Sequence, residues 1–162
     1  MGKKLIIKGA DFSANGIPSS ETSVTDIICE DLYQSKLNTD GTRTDSTTRV
    51  STTIVSLTDI GAEVGDKIVF LNPSGILVSI SGGVSANNLS NESHWYSSDY
   101  GIYDYEQYLL GAEFTIPAGV AYIGLTFGKA SEIHTAGANL SVSSIEGYIA
   151  NGTLAIVVVK AE

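Results

Sequence analysis

The chain has 162 residues, 43% of them hydrophobic, only 17% charged, and a formal net charge of −9. That suits one domain able to bury a core without a metal or disulfide staple, and few charges with three prolines argue against a disordered chain. Between Ile68 and Gly128 there is no Lys or Arg, while Glu92, Asp99, Asp104, Glu106 and Glu113 fall there; a nucleic-acid partner is excluded for want of a basic face, and an anionic membrane surface is disfavoured for the same reason.

The first stretch, residues 1–22, reads as an anchoring or oligomerisation segment, and residues 23–162 as the domain proper. Its apolar run, Leu5, Ile6 and Ile7, is flanked by Lys3, Lys4 and Lys8, with Phe12 further on. The run is too short for a signal-peptide core or a membrane span. "KLIIK" suits either an edge strand protected by lysines or an anchor that pairs with another copy.

Ser23–Leu37 has irregular apolar spacing and room for no more than a short turn of helix. Cys29 is the sole cysteine and follows Ile27 and Ile28, so it reads as a buried, inert thiol. Residues 38–49, "NTDGTRTDSTTR", form a polar, exposed excursion; Asp40, Gly41 and Asp45 there would serve a structural calcium, although Asp-Gly is more simply a turn.

Strand patterns follow. They are "VSTTIVSL" (50–57), "DKIVFL" (66–71), "ILVSIS" (76–81), "EFTI" (113–116), "VAYIGLTF" (120–127), "LSVSSI" (140–145) and "TLAIVVVK" (153–160). Ile76, Val78 and Ile80 share a face by the two-residue period, as do Ala121, Ile123, Leu125 and Phe127. Gly124, on the opposite face, leaves room for something packed close. Asn72-Pro73-Ser74-Gly75 and Pro117-Ala118-Gly119 each predict a hairpin between the strands they join. The last run is apolar on both faces, as a doubly covered strand requires. The whole predicts an all-β fold, an antiparallel β-sandwich or jelly roll of roughly eight strands in two sheets.

Between the third and fourth of these patterns lies "HWYSSDYGIYDYEQY", His94–Tyr108, which holds six of the chain's thirteen aromatic residues. Flat faces with polar edges, set beside carboxylates, fit a sugar. His94, Trp95, Tyr96, Asp99, Tyr100, Tyr103 and Asp104 are therefore the candidate glycan- or receptor-binding residues, with Trp95 and Tyr96 at the tip of a loop. The same aromatics also suit packing of that loop onto its sheet, or a subunit contact.

"LYQSKLNTDGTRTDSTTRVSTTIVSL", "VGDKIVFLNPSGILVSI", the aromatic excursion and "FTIPAGVAYIGLTFGKAS", in that order, resemble β-sandwich modules of bacteriophage tail-fibre and other virion proteins, similar to carbohydrate-binding modules. The features that carry the resemblance are an Arg-x-x-Thr strand (Arg49 to Thr52), a Gly-Asp pair before a central strand (Gly65, Asp66), and an Ile-Pro-x-Gly turn (Ile116 to Gly119). The opening "KKLIIKGADFSANGI" resembles N-terminal segments of structural proteins in phages of gut Bacteroidetes. Gly124 stands where such modules often carry an Arg, so no binding role is carried to that position. The resemblance implies a non-enzymatic fibre or capsid-decoration component exposed on the virion. It implies a homo-oligomer, a trimer by preference, contacting other virion proteins and binding bacterial surface or mucus glycans. A purely structural virion component and a bacterial glycan-binding module are the alternatives.

Catalytic motifs are missing from the sequence. There is no Gly-x-Ser-x-Gly elbow and no Walker loop, and His94 and His134 share no metal-ligand spacing. Asp99, Asp104, Glu106 and Glu113 are not marked as the facing pair that a glycosidase needs. The expectation is no enzyme, no cofactor and no membrane insertion.

Overall fold

A computed structural model describes residues 23–90, 92–97, 101–103, 113–132 and 135–162, with the backbone alone described for 92–97, 101–103, 131, 132, 135 and 136. In chain order the elements are α1 (Val24–Ile28), β1 (Leu32–Tyr33), β2 (Ser35–Leu37), β3 (Arg43–Asp45), β4 (Arg49–Thr52) and β5 (Val55–Ser56). A 3-10 turn (Thr58–Ile60) leads to β6 (Lys67–Leu71), β7 (Ile76–Gly83), β8 (Glu92–Ser97), β9 (Gly101–Tyr103) and β10 (Glu113–Thr115). The chain closes with β11 (Tyr122–Glu132), β12 (Thr135–Ala138), α2 (Val142–Ala150) and β13 (Ala155–Val159).

The fold is all-β in character, as expected, with every strand pairing antiparallel. The described strands form three sheets rather than two. The largest runs β1-β4-β11-β7-β8-β9, with β5 and β12 also pairing β11; the second runs β10-β6-β13; β2 and β3 make a separate ribbon.

Alternation explains the core. Ile76, Val78 and Ile80 of β7 and Ile123, Leu125 and Phe127 of β11 join Ile68 and Phe70 of β6, Phe114 of β10, and Ile156 and Val158 of β13 in one buried cluster. Ala121, just ahead of β11, is exposed instead. β7 is buried on both faces along its whole length, which suits a central strand.

Neither predicted hairpin forms. Asn72–Gly75 turns the chain, with Gly75 at φ 82° and the Ile76 N–H donating to the Pro73 carbonyl. Yet β6 goes to the three-stranded sheet and β7 to the eight-stranded one. The Pro117–Gly119 turn likewise separates β10 from β11. Both links carry the chain across the core from one sheet to the other.

β4 and β5 both pair β11, but the register slips by one residue between them. At that irregularity the Thr52 hydroxyl accepts the Leu125 N–H at 3.0 Å, replacing a backbone acceptor. Residues 38–49, predicted as an exposed excursion, include no buried residue, and they supply the turn and second strand of the β2–β3 ribbon. Leu37 of that ribbon and Ile54 fill the space over Gly124, where an added Cβ would meet Leu37 Cδ2 at 2.4 Å. The close packing expected at Gly124 is present, and it occupies the position where the resembled modules often carry an Arg.

α1 is capped by Ser23, whose Oγ accepts the Asp26 N–H at 2.9 Å. It lies on the outer edge of β13. There the Thr25 hydroxyl accepts the Ile156 N–H (2.9 Å) and donates to the Ile156 carbonyl (3.2 Å), so an apolar edge strand is closed to addition at that residue. "LSVSSI", predicted as a strand, is the start of α2. Val142, Ile145 and Ile149 recur at helical spacing, Ile145 is fully buried, and Ser141 caps the helix by accepting the Ser144 N–H.

Candidate functional site

The described residues of the aromatic stretch, 94–97 and 101–103, lie on strands of a sheet. β8 pairs β7 on one side and β9 on the other, so that β9 ends the described path of the eight-stranded sheet. Residue pairing across β7 and β8 sets Ile80 opposite His94, Ser79 opposite Trp95 and Val78 opposite Tyr96. Across β8 and β9 it sets Trp95 opposite Tyr103 and Tyr96 opposite Ile102. Positions 95 and 103 are thus directly opposed and in register with Ser79, while 94 and 96 are in register with the core-facing Ile80 and Val78. Trp95 and Tyr96, predicted together at a loop tip, occupy successive strand positions. Asp99, Tyr100 and Asp104 lie outside the described residues, as do Leu5, Ile6, Ile7 and Phe12.

Two clefts flank α2. The first is a groove of about 390 Å³ between the α1–β1 link and the helix, lined by Cys29, Glu30, Asp31, Leu32, Val142, Glu146, Ile149 and Ala150. Its first wall is held by the Thr53 N–H, which donates to the Ile28 carbonyl (3.1 Å), and by the Asp31 N–H, which donates to Thr53 Oγ1 (3.2 Å). Burial, with a smaller contribution from the Asp26 charge, pushes the Cys29 thiol up to about 12. The half-buried cysteine is therefore a thiol at neutral pH and a poor nucleophile, as its apolar neighbours predict.

The second cleft, about 380 Å³, lies at the start of the helix and is lined by Gln34, Thr47, Asn139, Leu140, Ser141 and Ser144. Gln34 organises it. Its Nε2 donates to the carbonyls of Leu140 (2.7 Å), Arg49 (3.0 Å) and Ser46 (3.0 Å), and its Oε1 accepts the Val142 N–H (3.2 Å). One side chain thus ties the β2–β3 ribbon and β4 to the α2 N-terminus. The sequence points to neither cleft, because Leu140–Ile145 reads as a strand. The 142–145–149 spacing behind Ser141 was the signal available.

The Gly-Asp pair has a structural part. Gly65, at φ 94°, donates its N–H to the Ile116 carbonyl, and the Asp66 carbonyl accepts the Ile116 N–H, both at 2.9 Å. The Asp66 carboxylate is almost fully buried and accepts from Lys160 Nζ, the Ala161 N–H and the Glu63 N–H. Burial acts to raise its pKa. The Lys160 and backbone hydrogen bonds outweigh burial and hold the carboxyl below its ordinary value.

Asp40 accepts both the N–H and the hydroxyl of Thr42, which lowers its pKa and makes it a turn residue. Among the described residues no group of three or more His, Cys, Asp or Glu is placed to hold a metal ion. Among the same residues no helix is long and apolar enough to cross a membrane.

No family model, curated protein or solved structure matches this chain.

Proposed function

We propose that the protein is a non-enzymatic, virion-associated component of a bacteriophage, a fibre or decoration whose β-sandwich body presents a glycan-binding surface at its β8–β9 edge. The observation that carries the ligand-binding part is the register of Trp95 against Tyr103. Two aromatic positions directly opposed on neighbouring strands, at the end of the described sheet path, are the spacing at which a pair of rings can be offered to one ligand. The acidic, Lys- and Arg-free segment around them favours hydroxyl-rich over anionic ligands. Binding by such a surface is weak per copy and gains about two to four orders of magnitude from many copies on a particle. The resemblance in strand and turn order supports the virion assignment, and Leu5, Ile6, Ile7 and Phe12 are the proposed anchor.

The test is binding of the full chain to a panel of bacterial capsular polysaccharides and mucin glycans, beside Trp95→Ala and Tyr103→Ala. Loss of binding in both variants, with unchanged circular dichroism and melting, supports the site. Absence of binding to a panel that includes the host's own polysaccharide turns the assignment to a purely structural virion role.

A further inference from the structure

The groove between the α1–β1 link and α2 has a lining that calls for a definite kind of occupant. Its apolar part is Leu32, Val142, Ile149 and Ala150. Its acidic part is Glu30, Asp31 and Glu146, all exposed, and among the described residues no Lys or Arg lines it. The ion pairs of the described Lys67 and Lys160 are made elsewhere, with Glu113 and Asp66. A complementary segment needs a short aliphatic run flanked by cations.

The chain contains one. In Lys3-Lys4-Leu5-Ile6-Ile7-Lys8, three of the nine basic residues bracket three consecutive aliphatic ones. We propose that this groove is the docking site of the chain's own Lys3–Lys8 segment, with Leu5, Ile6 and Ile7 against the apolar lining and the lysines against Glu30, Asp31 and Glu146.

Chain length permits it. Lys8 and Ser23 are fifteen residues apart, a tether that spans up to about 50 Å when extended. The groove wall begins at Cys29, the C-cap of the five-residue helix that Ser23 opens, so the distance to cover is on the order of 10 Å beyond the tether's start. A tether of this length presents the segment to its own groove at an effective concentration on the order of millimolar. That is why the own chain, rather than a second copy, is the occupant. The proposal concerns how the segment is held in the free chain, before it is released to anchor the protein to a particle, and it does not depend on the glycan reading.

Zero-length carbodiimide coupling of the full chain at low concentration, mapped by mass spectrometry, tests it. Lys3, Lys4 or Lys8 is expected to join Glu30, Asp31 or Glu146 within monomers. Ile6→Asp keeps all these coupling partners and lies outside the described body. It is expected to lower those links by about fivefold or more, the population change for replacing one packed aliphatic side chain by a charge. It is also expected to shift the Leu32 and Ile149 amide resonances. Links found only between copies overturn the proposal in favour of a second copy. Links spread evenly over other carboxylates such as Asp59 and Glu63, or a yield unchanged by Ile6→Asp, overturn it outright.

Discussion

Replacing Asp66 by Asn removes one charge from the most heavily used carboxylate described in the protein. Its Oδ2 accepts from both Lys160 Nζ and the Glu63 N–H, and its Oδ1 accepts from the Ala161 N–H. An amide supplies only one acceptor oxygen, so either orientation of Asn sets an NH2 against a donor. With the NH2 in the place of Oδ2, Lys160 keeps the Gly61 carbonyl alone; with it in the place of Oδ1, the Ala161 N–H loses its acceptor. Hydrogen bonds to a charged group contribute about 1.5–3 kcal/mol each, and breaking a buried pair costs about 3–5 kcal/mol. Lys160 retains 25% exposure beside the 1% of Asp66, so water offsets part of the loss, and about 2–4 kcal/mol is expected at pH 7. The sign of the pH effect follows from the lowered pKa. The stabilisation is fully present above the unfolded-state value, 3.8, and is lost as pH falls through the lower folded-state value. The gap between wild type and Asp66→Asn should therefore narrow below about pH 4. Urea unfolding at pH 7 and at successively lower pH measures it, with an unchanged slope confirming comparable unfolding. A loss under about 1 kcal/mol at pH 7, or a gap that stays constant as pH falls, would refute the assignment of Asp66 as the knot between the Glu63 turn and the C-terminal strand.

Three further outcomes are expected. Gly83→Ala should destabilise more than Gly124→Ala. The first Cβ meets the Asn88 backbone carbonyl oxygen at 1.9 Å, the second the movable end of Leu37. Costs of about 3 kcal/mol or more and about 1–2 kcal/mol would separate the two variants in thermal melts. Gln34→Ala should leave the sheets intact but free the α2 N-terminus, raising hydrogen exchange at Val142 and Ser144 for a global loss of about 1–2 kcal/mol. Native Cys29 should react with a thiol reagent at pH 8 roughly two to three orders of magnitude more slowly than in the urea-unfolded chain, and equal rates would contradict its burial.

Side-chain faces were legible in the sequence because they depend on local geometry alone. Ile76, Val78 and Ile80, and Ile123, Leu125 and Phe127, point where a two-residue period sends them. The need for space opposite Gly124 was legible for the same reason, although Leu37 as the neighbour that fills it was not. The candidate site was legible as composition, not as form. The aromatic excess around Trp95 was plain, but that 92–97 pairs with β7 depends on partners ten to eighteen residues away. The start of α2 reads as a strand because Leu140 and Val142 alternate like one, while the helical spacing emerges only when Ile149 is counted with Val142 and Ile145.

The two hairpins that do not form show where turn chemistry stops being informative. Asn72–Gly75 and Pro117–Gly119 reverse the chain as their residues require, but a reversal serves equally well between strands of one sheet or of two. What separates the cases is the outward face of each strand. β6 carries Lys67 and the half-exposed Leu71 on the side opposite Ile68 and Phe70, so it can be covered on one side only. β7 carries Leu77, Ser79 and Ser81 opposite its core face, all buried and none charged, so it needs cover on both sides and a neighbour at each edge. Two adjacent strands in one sheet share the same layers above and below. Lys67 and Leu71 would then have to enter the layer that buries Leu77 and Ser79, at the cost of desolvating an ammonium group paired at the surface with Glu113. Sending β6 to the second sheet keeps Lys67 at the surface and lets Ile68 and Phe70 join Val78 and Ile80 in one buried core. The charge on one strand and its absence from the next are thus what select two sheets over a hairpin.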